Sequence, residues 1–237
     1  MKCIIIAAGY ATRLYPLTEN FPKPLLKVNG RSILDHLLDD IHSDIQEYIV
    51  VTNHRFYEQF LDWAKDRKEK ISVIDDLTTS NETRLGAVRD IQLAAKEVDE
   101  DCLVMAGDNL LDFSLDGFIT FALEKNSSCI MCHKEERLEA LRKTAVITVD
   151  ENQLITSYEE KPQFPKGDLA VPPFYFYKKD DLKMIDQALE EGCKADAPGS
   201  FAAWLSKKKD MYAYPMPGKR YDIGDLKSYE YVQSIFN

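Results

Sequence analysis

An apolar run, Cys3-Ile-Ile-Ile-Ala-Ala8, breaks at Gly9 into a loop of small residues and then meets Arg13. No other stretch limits the fold as much. A short apolar run that ends in glycine and small residues reads as a buried strand feeding a tight loop. That is how α/β proteins bring backbone N–H groups close to phosphate. Lys23 follows Arg13 by ten residues, between Pro22 and Pro24. Arg13 offers a fork that grips two phosphate oxygens, and Lys23 a compact point charge. The loop Gly-x4-Gly-Lys-Ser/Thr and the dinucleotide pattern Gly-x-Gly-x-x-Gly are both absent.

Strand and helix patterns alternate through the first half. Strands are expected at 2–8, 47–52, 71–74, 101–106 and 129–133, and helices at 32–42, 56–66, 85–98 and 115–123. Ile33, Leu34, Leu37, Leu38 and Ile41 show the helical spacing. Repeated β-α units imply a mostly parallel sheet with helices on both faces and a ligand at the carboxyl ends of its strands. Later segments lie closer together: strands at 144–149, 154–159, 169–177 and 211–215, a loop at 162–167, and helices at 181–189, 201–207 and 225–235. This half is expected to extend the sheet and to build a lid or floor for a second substrate.

The net charge of −10 argues against a nucleic-acid or anionic-membrane partner. An anionic ligand then needs a local basic pocket. Lys2, Arg13, Lys23, Lys27 and Arg31 supply one in sequence, with no acid before Glu19. Of the five cysteines, Cys129 and Cys132 have metal or redox spacing. They fall in an expected strand, where residues three apart point to opposite faces. No second pair completes a zinc site, so buried free thiols and a reducing cytoplasm are expected. The first apolar run is too short for a signal peptide, and no stretch approaches the ~18 apolar residues of a membrane span.

Gly9-Tyr-Ala-Thr-Arg-Leu14 followed by Pro22-Lys23-Pro24 resembles the signature of the sugar-1-phosphate nucleotidyltransferases, Gly-x-Gly-Thr-Arg-Leu and then Pro-Lys-Pro. Ala11 stands where that family usually has its second glycine, which fits only at negative φ or with some strain. Three further segments follow in family order. Gly107-Asp108-Asn109 ends an apolar stretch; alone it reads equally as a turn or a metal carboxylate. The resemblance makes Asp108 a Mg²⁺ ligand, and Gly-Asp-Asn, the thymidylyltransferase version, implies dTTP or UTP. Glu160-Lys161-Pro162 alone is a charged strand edge. The resemblance has Lys161 hold the phosphate of the sugar phosphate and Glu160 contact the sugar. Tyr221-Asp-Ile-Gly-Asp225 contains an N-capping turn at Asp225, and by resemblance Asp222 is the second Mg²⁺ ligand.

The polar stretch Thr79–Ala87 corresponds to the family's base-contacting region, where Gly86 lets backbone approach the base. The usual Gln-x-x-Pro-x-Gly-Leu-Ala is absent, leaving Asn81 or Ser80 to read the base edge. Tyr175 lies on the strand that lines the sugar pocket in the family, although Phe174–Tyr177 by itself reads as core.

The resemblance implies a Rossmann-like three-layer α/β sandwich around a mostly parallel mixed sheet. One nucleotidyltransferase domain would span 1–237, with a nucleotide-binding half at 1–135 and a sugar-phosphate-binding half at 136–237. It implies Mg²⁺-dependent transfer of a nucleoside monophosphate from an NTP to a sugar-1-phosphate. Arg13, Lys23 and Lys161 would be catalytic, Ala8, Gly9, Tyr10, Ala11, Thr12, Asn81 and Gly86 would bind the nucleotide, and Glu160, Lys161 and Tyr175 the sugar phosphate. Two other readings stay open: a cytidylyltransferase acting on a non-sugar phosphate such as phosphocholine, and a catalytically silent nucleotide-sensing subunit. A homo-oligomer is compatible with all three.

Overall fold

The computed structural model describes residues 1–43 and 45–236. Its strands are β1 (Lys2–Ile6), β2 (Lys27–Val28), β3 (Arg31–Ser32), β4 (Glu47–Thr52), β5 (Ile71–Asp75), β6 (Cys102–Ala106), β7 (Asn109–Leu111), β8 (Cys129–Lys134), β9 (Ala145–Val149), β10 (Ile155–Glu160), β11 (Leu169–Val171), β12 (Phe174–Tyr177), β13 (Tyr212–Pro215) and β14 (Arg220–Asp222). Its helices are α1 (Ile33–Asp39), α2 (Tyr57–Lys65), α3 (Ala87–Ala95), α4 (Asp116–Lys125), α5 (Leu138–Leu141), α6 (Lys179–Leu182), α7 (Ile185–Glu190), α8 (Gly199–Leu205) and α9 (Leu226–Ile235).

One mixed sheet carries the strand order β10-β9-β11-β8-β12-β6-β1-β4-β5, and β13 pairs with β8. The pairings β1–β4, β1–β6, β4–β5 and β8–β13 are parallel. Seven of the ten strands run one way and only β10, β11 and β12 run the other, so the sheet is mostly parallel, as the β-α alternation implies. Side chains alternate between its two faces. Ile4, Ile49, Val51, Val104 and Ile130 meet α3, α7 and α8 on one face. Cys3, Ile5, Val50, Leu103, Met105 and Met131 meet α1, α2 and α4 on the other. Three layers result, with a helix layer on each side.

The same alternation decides the cysteine question. Cys129 and Cys132 lie on β8 but belong to opposite cores, and all five cysteines are free. Burial pushes their thiols up, to about 12 and about 11 respectively.

Local chemistry accounts for the differences from the sequence expectations. The strand expected at 169–177 divides into β11 and β12 at Pro172-Pro173, which lack the N–H groups a ladder needs. The helix expected at 181–189 is broken into α6 and α7. Two short pairs escaped the periodicity: the hairpin β2–β3 and the ladder β7–β14. Strands of two or three residues leave no alternation to read. The helix at 225–235 begins as expected, with Asp225 capping: its side chain accepts from Ser228 N–H in a capping box.

Candidate active site

Four parallel strands, β6, β1, β4 and β5, end on the same edge of the sheet, and the loops that follow them build a cavity of about 440 Å³. Ala7, Ala8, Gly9, Ala11 and Arg13 come from the loop after β1, and Asp76 follows β5 directly. Asp108 follows β6, and Gly86, Ala87 and Asp90 lie at the start of α3. Lys23, Arg84, Asp196, Pro198, Asp222 and Gly224 complete the wall.

The loop after β1 is held from behind by groups that do not face the cavity. Asn53, fully buried after β4, donates its side-chain N–H to the Ala8 carbonyl at 3.0 Å. Thr18 donates its hydroxyl to the Ala11 carbonyl at 2.8 Å. The Tyr10 hydroxyl meets Thr78 Oγ1 at 3.2 Å and its ring packs near Phe56. Tyr10 therefore anchors the loop from its buried side and does not line the nucleotide cavity, a correction to its expected role. Gly9 presents open space where a Cβ would project. Ala11 sits in the left-handed region at φ 46°, ψ 43°, so the alanine at the family's glycine position is tolerated with strain. Ala11→Gly should stabilise the fold by about 1 kcal/mol, read as a rise in the urea midpoint at unchanged m-value.

Lys23 and Asp108 meet. Lys23 Nζ donates to Asp108 Oδ2 at 2.7 Å, and the lysine is 8% exposed. Asn109 donates to the other oxygen, Oδ1, at 2.9 Å. Burial works against the ionised form of Asp108, but Lys23, with help from Arg220, holds its carboxyl below the usual range. Asp222 lies beside it because β14 pairs with β7, setting Asp222 directly across from Asn109. Both acids line the same cavity. Among the described residues no group of three or more His, Cys, Asp or Glu could hold a metal unaided. Two carboxylates on a phosphate-binding cavity are nonetheless a donor set that suits Mg²⁺, which takes oxygen ligands and completes its shell with water and substrate phosphate.

The expected basic pocket is smaller than the sequence suggested. Lys2 pairs with Glu47 at 3.2 Å, Arg31 pairs with Asp39, and Lys27 points into solvent. Only Arg13 and Lys23 of the five early cations line the cavity. With Arg84 they make three cations against five acids: Asp76, Asp90, Asp108, Asp196 and Asp222.

At the far end, α3 is tied to the loop before α8. Ala195 O accepts from Val88 N–H at 2.9 Å, and Arg84 pairs with Asp196 at 2.9 Å. Gly86 has φ 93°, and a Cβ there would lie 2.6 Å from Ala195 O, so only glycine fits. Thr12 is exposed outside the cavity wall, and Asn81 lies outside it too, its Oδ1 accepting from Arg84 at 3.1 Å. Neither is among the residues that line this cavity. Asp76, Arg84 and Asp90 occupy that wall instead. A polar residue directly after a parallel strand, as Asp76 follows Asp75, was the available signal.

Glu160 and Lys161 line a neighbouring cleft of about 900 Å³ with Trp204 and Lys207; it shares Asp196 with the first cavity. Lys161 is exposed at φ 48°. Burial pushes the Glu160 carboxyl up. Tyr175 is 2% exposed and stacks on Tyr177 at 5.8 Å. It is a core residue, which corrects its expected place in the sugar pocket.

The family model described as nucleotidyl transferase matches residues 2–236, and the chain belongs to that family. It is 26% identical over 244 residues to a glucose-1-phosphate adenylyltransferase of Fervidobacterium nodosum, covering 95% of this chain and 59% of that protein. It is 25% identical over 177 residues to the UTP–glucose-1-phosphate uridylyltransferase AglF of Haloferax volcanii, covering 75% of this chain and 72% of the relative. The chain spans between 42% and 65% of the length of the first curated relatives it matches. A solved UDP-glucose pyrophosphorylase complexed with UDP-glucose shares the fold, with a TM-score of 0.82, 21% identity, and coverage of 99% of this chain and 97% of that one.

Proposed function

We propose that this chain catalyses divalent-metal-dependent transfer of a nucleoside monophosphate from an NTP to a sugar-1-phosphate, giving an NDP-sugar and pyrophosphate. The observation that carries this is the meeting of Gly9, Arg13, Lys23, Asp108 and Asp222 around one cavity in a member of the nucleotidyl transferase family. An oxygen of the sugar phosphate attacks the α-phosphorus, and the bond from that phosphorus to the bridging oxygen of pyrophosphate breaks. Positioning and charge stabilisation carry such a reaction, without a covalent enzyme intermediate.

Lys23 would bind oxygens of the α-phosphate, and Arg13 those of the β- and γ-phosphates. Asp108 and Asp222 would hold Mg²⁺, which neutralises triphosphate charge and polarises the α-phosphate when bound. The excess of carboxylates in the cavity supports this requirement, since a bare triphosphate would meet five acids there. Glu160 and Lys161, in the adjoining cleft, would take the sugar phosphate after a short movement of the exposed Lys161 side chain. The nucleotide would thus rest on residues of 1–135 and its partner on residues of 136–237. Gly107-Asp108-Asn109 is the one feature that favours dTTP or UTP, and it lies at the phosphate end beside Lys23.

The test is pyrophosphate release across a panel of NTPs and phosphorylated acceptors, with Mg²⁺ and with excess chelator. Release with a sugar-1-phosphate and Mg²⁺ is the expected result. Activity with phosphocholine and CTP alone would replace the acceptor. NTP binding with no release under any pairing would mark a sensing subunit.

A further inference from the structure

The cavity wall opposite the phosphate end carries charges without partners. Asp76 and Asp90 are 5% and 4% exposed, and both line the cavity. The N–H and hydroxyl of Thr78 occupy Asp76 Oδ1, each at 2.7 Å. Asp76 Oδ2 and Asp90 Oδ1 are buried and accept no hydrogen bond. Arg84, the cation on this part of the wall, is already paired with Asp196 at 2.9 Å. Burial, reinforced by the charge of Asp76, pushes the Asp90 carboxyl up to about 7. Asp76 is raised by burial and by Asp75, with Thr78 opposing. Acceptors left unsatisfied in a fold are costly, and such costs gather at functional sites.

Their position says what they face. Phosphates held at Gly9 and Lys23 lie at the ends of β1 and β6, whereas Asp76 follows β5, two strands beyond β1. Two strand spacings are roughly 10 Å, which places the two acids where a nucleoside extends away from its phosphates. Of the other residues there, Gly86, Ala87 and Ala8 carry no polar side chain, and Arg84 is engaged with Asp196, so the two acids hold the free side-chain acceptors of this wall.

We propose that Asp76 and Asp90 read the Watson–Crick edge of the base, and that they select a base with an exocyclic amino group, guanine foremost, over uracil and thymine. This rests on the NTP reading above. An ionised carboxylate only accepts. Guanine sets N1–H and N2–H side by side, one for each free oxygen. Above pH 7, with both acids ionised, cytosine and adenine offer one amino group next to a ring nitrogen that carries no proton, so they satisfy one free oxygen and leave the other unpaired. Uracil and thymine offer a single N–H flanked by two carbonyls, so a carbonyl oxygen must face a carboxylate. The asymmetry is large because a site built for hydrogen bonds rejects ligands that leave its polar groups unpaired.

The experiment is calorimetric binding of GTP, CTP, ATP, UTP and dTTP, each with Mg²⁺, to the full chain and to its Asp76→Asn and Asp90→Asn variants. GTP should bind at least about tenfold more tightly than UTP, and each amide should cut that ratio to within roughly threefold. Both variants should melt at or above the wild type at pH 8, since each removes an unpaired buried charge. The wild-type ratio alone decides the matter if a variant does not fold. UTP or dTTP binding as tightly as GTP overturns the proposal. So does an equal loss for all five nucleotides in the variants, the mark of carboxylates that hold ribose hydroxyls. Failure of every triphosphate to bind would remove the proposed function itself, a distinct outcome from a wrong base.

Discussion

Lys23→Ala should lower kcat/KM by roughly 10²–10³-fold, the range for loss of one donor that stabilises developing charge. Lys23 is the deepest cation of the cavity, 8% exposed, and its only side-chain partner among the described residues is Asp108. In the ligand-free chain the two neutralise each other. On the proposed reaction, binding substrate would divide them, with the ammonium going to a phosphate and the carboxylate to Mg²⁺. The alanine variant therefore has a second signature: Asp108 is released, so the Mg²⁺ concentration for half-maximal rate should not rise. Arg13→Ala should lose a similar factor in rate, yet keep the wild-type melting temperature. Arg13 is exposed and makes no side-chain hydrogen bond or ion pair among the described residues. Steady-state kinetics with both substrates varied checks both variants, and near-normal values would reduce the loop to an ordinary strand-to-helix corner.

Asp108→Asn and Asp222→Asn should each cut turnover by roughly 10²-fold and raise the Mg²⁺ requirement together with it. The amide keeps the shape and removes one ligand charge. The two should differ in one respect. The Asp222 side chain is 56% exposed, and its one ion pair among the described residues is with Arg220, at 3.9 Å. Asp108 holds Lys23. Removing the Asp108 charge leaves a buried lysine without its counterion, so this variant should also lose thermal stability while Asp222→Asn does not. A titration of rate against Mg²⁺, paired with a melting curve, separates the two effects. Full turnover in excess chelator would sink the metal assignment for both.

Most of the architecture was legible because it rests on periodicities that single sequences display. β4 matched its expected span, and α2 and α9 lie within a residue of theirs. Each repeats its apolar residues often enough to fix the period. β2, β3, β7 and β14 were not legible, since two or three residues carry no period. Their tertiary consequence was nevertheless to bring Asp222 to the cavity that Asp108 lines, through the β7–β14 ladder. Within the cavity wall, Gly9, Arg13, Lys23 and Asp108 stood out, because glycine, proline and charge mark them in sequence. The opposite wall did not. Asp76 and Asp90 look like a strand-end turn and a surface helix position until the fold buries both. The Tyr10 and Tyr175 rings are buried behind the cavity wall for the opposite reason: large rings beside a site are as easily its foundations as its walls.

The phosphate loop also has a history written into its packing. Leu14, in the turn that carries Arg13, is fully enclosed by a small core of Leu26, Val28, Ile33, Leu110, Ile223 and Val232. Tyr229 of α9 donates a hydrogen bond from its hydroxyl to the Lys27 carbonyl at 2.7 Å. The turn at Leu14 is thus completed by a helix 218 residues further along the chain, at Val232. At ribosomal speeds of about 5–20 residues per second, a nascent chain carries its loop open for roughly 10–40 s. The cavity wall that Arg13 belongs to has no finished backing in that interval. The turn that carries Arg13 and the docking of α9 are thus completed together.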